Sequence, residues 1–289
     1  MAYGEIASVR GAGGRRPAEH ELRQEMVRVS RLMWERGYVA STDGNLSARL
    51  GSNRLLVTAS GLSKGFLSVD DLVVIDLDGE PISSYRNREQ RASSETLLHL
   101  EVYRQRPDVE AVVHAHPPLA TAFSIAGVSL ARCVIPEVVV SLGGIPTAEY
   151  ATPGTMEVPE SIGPAIREYD AVILAHHGSL TIGGSLWEAY LRLERVEQAA
   201  QITLAAQQLG QVRTLSAGDV ERLAEKRREL LQRQGRDLCA DCSVCLLGDN
   251  YQVPGDFPCD VPAMGSRALD EGVLVRQIAQ SVARAIQKP

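Results

Sequence analysis

The chain has 289 residues, of which 44% are hydrophobic, and its 30 basic and 36 acidic side chains give a formal net charge of −6. This length is enough for one large α/β domain with an appendage, or for two small domains, and the hydrophobic content supports a buried core. The composition excludes a basic surface for nucleic acid or an anionic membrane, and no apolar run is long enough to span a bilayer. Residues 1–16 lack the apolar stretch of a secretory signal, so we expect a cytoplasmic protein.

The spacing of apolar residues predicts alternating helices and short strands. A first helix is expected over residues 18–35, with Gly37 just beyond its end. Further helices are predicted over residues 94–104, 186–209 and 219–232, and strands over residues 46–50, 55–58, 72–77, 111–116 and 171–175. The irregular alternation of these elements predicts a mixed α/β sheet layered with helices.

The composition changes near residue 235, which divides the chain into four predicted parts. Residues 1–17 are expected to form a flexible N-terminus, and residues 18–235 the main domain. Residues 236–267 contain a cysteine cluster and a linker rich in Pro and Gly, and residues 268–289 form an amphipathic helix. In a reducing compartment the five cysteines are expected to be free thiols or metal ligands rather than a disulfide framework.

Four of the six histidines lie at the ends of two predicted strands, as His114 and His116 and as the adjacent pair His176 and His177. Because strand side chains alternate between faces, His114 and His116 point to the same side, and only one of the adjacent pair can join them. Three neutral imidazoles around one point match a catalytic zinc site with an open position. A lone His-x-His motif is more often only hydrogen-bonded, so this pattern by itself leaves both interpretations open.

A candidate base and candidate anion-binding residues precede the histidines. Glu95 follows Ser93 and Ser94 at a predicted helix start, where Ser94 is a natural N-cap and the helix dipole favours an acidic residue in any case. The same helix start suits a phosphate. Two segments rich in small polar residues, 43–47 and 58–64, could line the same site, although each alone is typical of a turn.

Taken in order, these motifs resemble the class II aldolase and adducin family, of the L-fuculose-phosphate aldolase type, over roughly residues 18–215. Five ordered motifs are far more specific than any one of them. They are Gly44-Asn45-Leu46-Ser47, Thr58-x-Ser60-Gly61, Ser93-Ser94-Glu95-Thr96, His114-x-His116 and His177-Gly178. The resemblance implies a largely antiparallel central sheet and a homotetramer.

The resemblance also implies a role for each site residue. His114, His116 and His177 would bind Zn²⁺, with His177 preferred over His176 because it directly precedes Gly178. Glu95 would be the catalytic acid/base. The phosphate of the substrate would be held by six residues: Gly44, Asn45, Ser60, Gly61, Ser93 and Ser94. The implied reaction cleaves a ketose 1-phosphate, such as L-fuculose or L-rhamnulose 1-phosphate, into dihydroxyacetone phosphate and a short aldehyde such as lactaldehyde.

Other functions are compatible with the same motifs. A dehydratase of the methylthioribulose-phosphate type, with Glu137 as an extra base, or a sugar-acid decarboxylase could use the same zinc site. Pentulose-phosphate epimerases tend to carry Asp in place of Glu95 and are disfavoured, and the intact histidine set argues against a non-enzymatic adducin-like binding module. Related aldolases place a tyrosine in the segment corresponding to residues 133–137, but this chain has Ile135-Pro136-Glu137 there, which leaves the aldehyde-side proton donor unassigned.

The C-terminal region carries two further hypotheses. Cys239, Cys242, Cys245 and Cys259 could bind a second metal, as zinc or an iron–sulfur cluster, because Cys-x-x-Cys-x-x-Cys has ligand spacing; unligated thiols are the alternative. Residues 269–287 form one apolar stripe that needs a partner surface. This tail resembles the peptides that deliver enzymes into bacterial microcompartments, which implies a shell protein as partner. Packing within the enzyme's own oligomer is the alternative.

Overall fold

The structure, a computed structural model, describes residues 17–82 and 91–233. The predicted cysteine cluster, linker and C-terminal helix lie outside these residues, so the hypotheses about Cys239, Cys242, Cys245 and Cys259 and about the tail stay predictions. The strands are β1 (Asn45–Arg49), β2 (Leu55–Thr58), β3 (Leu72–Ile75), β4 (Ala111–Ala115), β5 (Thr147–Ala148), β6 (Ala171–Leu174) and β7 (Gly178–Gly183). The helices are α1 (Glu19–Glu35), α2 (Thr96–Gln105), α3 (Pro118–Ile125), α4 (Pro136–Leu142), α5 (Glu157–Glu168), α6 (Leu186–Leu209) and α7 (Ala217–Arg233).

The strands form one seven-stranded sheet in the order β3-β2-β1-β4-β7-β6-β5. Every neighbouring pair is antiparallel except β5 and β6, which are parallel. The predicted mixed, largely antiparallel sheet layered with helices is therefore confirmed. In the centre, β4 lies between β1 and β7, and this order places the end of β4 beside the turn that enters β7.

Helices cover both faces of the sheet because strand side chains alternate between them. On one face, Val112 of β4 packs with apolar residues of α2 and α5. On the other face, Val113 and its alternating neighbours pack against α1 and the first half of α6. His114 shares the face of Val112 and therefore points toward the α2 side of the sheet, where Glu95 begins the helix.

Within residues 17–82 and 91–233, every predicted helix and strand is present, with shifts of a few residues at their ends, but five helices and strands were not predicted. They are α3, α4, α5, β5 and β7. Strand β7 is fully buried, yet it begins and ends with glycine, a residue depleted in strands, which hides it from a reading of the sequence. Helix α5 contains Pro159, Gly163 and Pro164, which are poor helix formers. Both elements depend on tertiary contacts that local propensity does not reveal.

A buried charge cluster attaches the last described helix to the sheet. Asp170, which is fully buried just before β6, lies 3.2 Å from Arg106, 3.1 Å from Arg192 and 3.0 Å from Arg227. Arg227 belongs to α7, so this helix is part of the main domain.

Within the described residues, no helix combines the length and the apolar character needed to cross a membrane.

Candidate metal centre

His114, His116 and His177 converge at one end of the sheet. One ring nitrogen from each lies within 4.8 Å of the others, and the ring centroids are 4.8 to 5.0 Å apart. The Nε2 atoms of His114 and His116 are 3.1 Å apart. A tetrahedral zinc with Zn–N bonds of about 2.0–2.1 Å places its ligand nitrogens about 3.3–3.4 Å apart, so the donor set and its spacing fit this ion.

The second ring nitrogens of two of these histidines face acceptors. Nδ1 of His114 lies 3.0 Å from the carbonyl oxygen of Ser179. Because a carbonyl oxygen only accepts, this nitrogen carries the proton and Nε2 keeps a free lone pair directed at the centre. Nδ1 of His116 lies 3.6 Å from Oδ2 of Asp43, which favours the same tautomer. Burial lowers the pKa of both His114 and His116, which favours the neutral imidazole that metal binding requires.

The chain direction at His176 decides which histidine of the adjacent pair joins the centre. His176 has φ +58°, in the left-handed region, and its backbone N–H donates a 3.1 Å hydrogen bond to Oγ of Ser124 on α3. The backbone reverses here between β6 and β7, and His177 turns toward His114 and His116. The ring of His176 instead lies edge-on to Tyr150, with centroids 6.3 Å apart. The preference for His177 over His176 therefore agrees with the geometry.

Glu95 lies at the edge of the histidine cluster, with its side chain 18% exposed. Its Oε1 is 3.0 Å from Nε2 of His177, and its Oε2 is 3.5 Å from Nε2 of His114. Burial by itself raises the pKa of Glu95, but the hydrogen bond with His177, the electrostatic interactions with His114 and His177 and the hydrogen bond from Asn45 lower it well below its usual range. The carboxylate is therefore held in its ionised form beside the centre.

The start of α2 differs from the predicted one. The helix begins at Thr96, and Glu95 rather than Ser94 occupies the N-cap position, without a capping bond from its side chain. The hydroxyl of Ser93 accepts a 3.3 Å hydrogen bond from the backbone N–H of Glu95. The predicted Ser94 N-cap is therefore wrong, and the carboxylate of Glu95 is turned toward the histidines instead of capping its own helix.

The structure brings the predicted phosphate-binding segments together. The backbone N–H of Ser60 donates to the carbonyl oxygen of Arg91 at 2.9 Å, and Ala59 forms a β-bridge with Ala92. Ser60 and Gly61 thus lie on the strand-like pair that leads into Ser93 and Ser94. Gly61 has φ +74°, which a residue without Cβ adopts without strain. The phosphate roles of Ser60, Gly61, Ser93 and Ser94 stay predictions, and their segments are adjacent as those roles require.

The first of these motifs packs against the metal centre itself. At Gly44, an added Cβ would lie 2.8 Å from the carbonyl oxygen of His114, so this glycine allows the close approach of the two strands. The side chain of Asn45 donates a 2.7 Å hydrogen bond to Oε2 of Glu95. In this arrangement the amide of Asn45 holds the candidate base, and its predicted phosphate role is not tested.

Three residues beside the site were not assigned an individual role, although Asp43 and Lys64 lie in the segments 43–47 and 58–64 that were expected to line it. Asp43 lies next to His116, and His99 hydrogen-bonds to Asn45. The ammonium group of Lys64 donates to the carbonyl oxygens of Thr42 and Leu62 at 2.8 and 2.7 Å, and burial lowers its pKa to about 8. For His99 the sequence does hold an indication, because a residue four positions after Glu95 lies on the same face of a helix.

Comparison with known proteins agrees with this geometry. The family described as Class II Aldolase and Adducin N-terminal domain matches residues 24–204. An L-fuculose phosphate aldolase of Methanococcus maripaludis is 35% identical over 178 residues, which cover 62% of this chain and 93% of the relative. A 3-oxo-tetronate 4-phosphate decarboxylase of Escherichia coli is 34% identical over 211 residues, 71% of this chain and 96% of the relative. A solved L-fuculose 1-phosphate aldolase is 30% identical, with a TM-score of 0.66, and the match covers 74% of this chain and 99% of that chain. The chain therefore belongs to the class II aldolase and adducin family.

Proposed function

We propose that this chain is a zinc-dependent lyase that cleaves a carbon–carbon bond next to the carbonyl group of a phosphorylated ketose. The observation that carries the proposal is the convergence of His114, His116 and His177 with a carboxylate 3.0 Å from His177. A divalent metal ion held by these imidazoles would act as a Lewis acid toward the substrate's carbonyl oxygen. The set matches a catalytic zinc site, in which three protein ligands leave a position open for substrate.

The protein groups around the metal centre would handle the proton and the phosphate. Cleavage beside a carbonyl leaves a carbanion equivalent, which must be protonated on carbon. Glu95, ionised and within 3.5 Å of two ligand nitrogens, is placed to exchange that proton as a general acid/base. The hydroxyl groups of Ser60, Ser93 and Ser94 and the backbone N–H of Gly61 would suit the dianionic phosphate.

The leading reaction is retro-aldol cleavage of a ketose 1-phosphate such as L-fuculose or L-rhamnulose 1-phosphate. Its products would be dihydroxyacetone phosphate and a short aldehyde such as lactaldehyde. The support comes from relatives named L-fuculose phosphate aldolase and from the solved aldolase of the same name. Both align over more than nine-tenths of their own length, so the similarity includes the whole domain that forms the site.

The second candidate is decarboxylation of 3-oxo-tetronate 4-phosphate. The match to the relative of that name extends over 211 residues, 71% of this chain, against 178 residues for the aldolase. Loss of CO2 from this 3-oxo acid leaves the same fragment, dihydroxyacetone phosphate. Retro-aldol cleavage also removes a proton from the hydroxyl that becomes the aldehyde, whereas loss of CO2 does not. Decarboxylation therefore needs no side chain to take up a hydroxyl proton, which agrees with the absence of a tyrosine from residues 133–137.

One assay separates the two reactions. Zinc-loaded protein is incubated with L-fuculose 1-phosphate, L-rhamnulose 1-phosphate or 3-oxo-tetronate 4-phosphate, and dihydroxyacetone phosphate is followed through NADH oxidation by glycerol-3-phosphate dehydrogenase. Release from a ketose 1-phosphate together with an aldehyde supports the aldolase. Release from the 3-oxo acid together with CO2 supports the decarboxylase. No release from any of the three substrates, by protein with one zinc per chain, would overturn the proposal.

The proposed setting is a homotetramer, with residues 269–287 binding a microcompartment shell protein. Light scattering of the full chain and of a chain ending at residue 268 measures the oligomeric state. Co-sedimentation of the same two chains with purified shell protein measures binding to the shell. We expect an unchanged tetramer and unchanged turnover after truncation, and loss of shell binding. A truncated chain that dissociates or loses turnover would make the tail a structural element of the oligomer.

A further inference from the structure

A buried chain of hydrogen bonds runs from Tyr103 to Glu95 through three side chains. The hydroxyl of Tyr103 lies 2.8 Å from Oγ of Ser47, which lies 2.6 Å from Nδ1 of His99. On the other side of the ring, Nε2 of His99 is 2.6 Å from Oδ1 of Asn45, whose Nδ2 is 2.7 Å from Oε2 of Glu95. The four residues before Glu95 are all at most 5% exposed. Water therefore supplies none of these bonds.

The direction of each bond follows from the one before it, starting at the carboxylate. An ionised carboxylate only accepts, so the NH2 group of Asn45 faces Glu95 and the amide oxygen faces His99. That oxygen also only accepts, so Nε2 of His99 donates. Burial lowers the pKa of His99 to about 4, which keeps the ring neutral. Nδ1 is then the acceptor, and the hydroxyl of Ser47 donates to it.

Ser47 completes the order, because its oxygen is left to accept from the hydroxyl of Tyr103. Every bond thus points toward Glu95, and each donor is polarised by the donor behind it, an arrangement that strengthens the last bond of the chain. This chain of hydrogen bonds from Tyr103 to Glu95, called the relay below, also satisfies both polar ends of the Asn45 amide. If His99 did not donate, the amide oxygen of Asn45 would be buried without a partner, and the amide would have a competing orientation.

We propose that His99 is a positioning residue for Glu95: through Asn45 it fixes Oε2 of the carboxylate as an acceptor and leaves Oε1, which faces His177, as the oxygen that exchanges the substrate's proton. This inference rests on the proposed acid/base role of Glu95. His99 does not touch the candidate metal ligands. Its effect passes through one amide, whose orientation it selects.

A purely structural role for His99 would lead to different effects of substitution. Its neighbours on α2, Leu98 and Leu100, belong to the apolar core, and a leucine at position 99 would fill similar space without any polar group. If volume alone mattered, His99→Leu would preserve turnover. If the donor matters, the required property is an N–H at the position of Nε2, which the longer amide of Gln can supply. The shorter amide of Asn reaches Ser47 but not Asn45.

The test compares zinc-loaded His99→Leu, His99→Asn and His99→Gln with the unsubstituted chain. Leu100→Ala serves as the matched control, because it opens a cavity in the same helix without touching the relay. For each variant, kcat and KM are measured on the substrate that releases dihydroxyacetone phosphate, and zinc content and Tm are recorded. Crystal structures give the orientation of the Asn45 amide, and ¹⁵N spectra of labelled histidine give the tautomer of His99.

We expect kcat of His99→Leu and His99→Asn to fall about 10- to 100-fold, the range typical of outer-shell partners, with KM and zinc content within about twofold of the unsubstituted chain. His99→Gln should recover most of kcat, and Leu100→Ala should keep it despite a lower Tm. The spectra should show His99 protonated on Nε2. If His99→Leu does not fold, the difference in kcat between the His99→Asn and His99→Gln variants still tests whether the donor at Nε2 matters.

Two outcomes would overturn the inference: equal kcat for the Gln and Asn variants, or an unchanged Glu95–Asn45 contact in a His99→Leu crystal structure. A protein that releases no dihydroxyacetone phosphate at all contradicts the proposed function instead. In that case the tautomer of His99 and the orientation of Asn45 still report on the relay, so the two failures are distinguishable.

Discussion

Gly178 lies so close to His116 that no side chain fits between them. A Cβ added at Gly178 would lie 2.6 Å from Cδ2 of His116 and 2.4 Å from the carbonyl oxygen of Ala115. The second neighbour is backbone and cannot swing away. Gly178 follows His177 and begins β7, so the absence of a side chain at this position lets the two histidine-bearing segments meet.

Replacing Gly178 by Ala should therefore damage the metal centre. We expect β4 and β7 to separate locally, the zinc content at equal free zinc to fall, and Tm to decrease by several degrees, because overpacking typically costs about 1–3 kcal/mol. Gly51→Ala is the control, since a Cβ there meets nothing within 4 Å. Zinc content and calorimetry measure both effects. Equal behaviour of the two variants would show that the contact at Gly178 relaxes without consequence.

Zinc binding should depend on three histidines and not on the fourth. His114→Ala, His116→Ala and His177→Ala each remove one of the three nitrogens that converge within 4.8 Å, so the zinc content should fall sharply in all three. His176→Asn should keep its zinc, because its ring lies outside the cluster and Asn tolerates the φ of +58° at this position. Elemental analysis after dialysis gives the ratio of zinc to protein. Full zinc in all three Ala variants would refute the ligand assignment.

Glu95→Gln should retain zinc and lose turnover. The amide fills the space of the carboxylate but cannot take the proton, and general acid/base groups typically contribute about 10²–10⁴-fold. Exchange of solvent deuterium into dihydroxyacetone phosphate, followed by NMR, isolates this step from cleavage. Glu101→Gln, on the same helix, is the control and should exchange at the unsubstituted rate. Equal exchange in both variants would limit Glu95 to a structural role at the helix start.

Glu197 should stabilise the helix that follows His116. Its carboxylate on α6 accepts hydrogen bonds of 3.0 Å from the backbone N–H groups of Leu119 and Ala120, at the N-terminus of α3. Glu197→Ala leaves these donors without a partner and should lower the free energy of unfolding by about 1–3 kcal/mol. Urea titration measures the change, with exposed Glu221→Ala as the control. A difference below about 0.5 kcal/mol between the two variants would contradict this role.

The buried His99 should make stability depend on pH. Burial lowers its pKa to about 4, whereas histidine in an unfolded chain titrates near 6.5. Between these pH values the unfolded chain binds more protons, so the stabilisation is complete above pH 6.5 and is lost as the pH falls toward 4. The full difference is about 3 kcal/mol.

Urea unfolding of metal-free protein at pH 4.5 and 7.5 measures this dependence. His99→Gln does not titrate in the range and should lose less stability on acidification than the unsubstituted chain. His20→Gln, at an exposed position on α1, should behave like the unsubstituted chain. An equal loss in all three proteins would mean that His99 is protonated in the folded state.

The sequence determined many of the helices and strands and the residue types of the site. Apolar periodicity located α1 and α6 within a residue, and the alternation of β4 placed His114 and His116 on one side, because these depend only on local geometry. The ordered motifs identified the family. Neither kind of evidence reports distances between segments.

Tertiary structure decided everything that joins distant parts of the chain. The turn at His176 brings His177, and not His176, beside His114 and His116. Glu95 reaches Asn45 across 50 residues of sequence because β1 pairs with β4 beside the start of α2. Strand β7 forms despite a glycine at each end because β4 and β6 supply hydrogen-bond partners on both sides. Hydrogen bonding and packing between distant segments fix these features, and local sequence does not encode them.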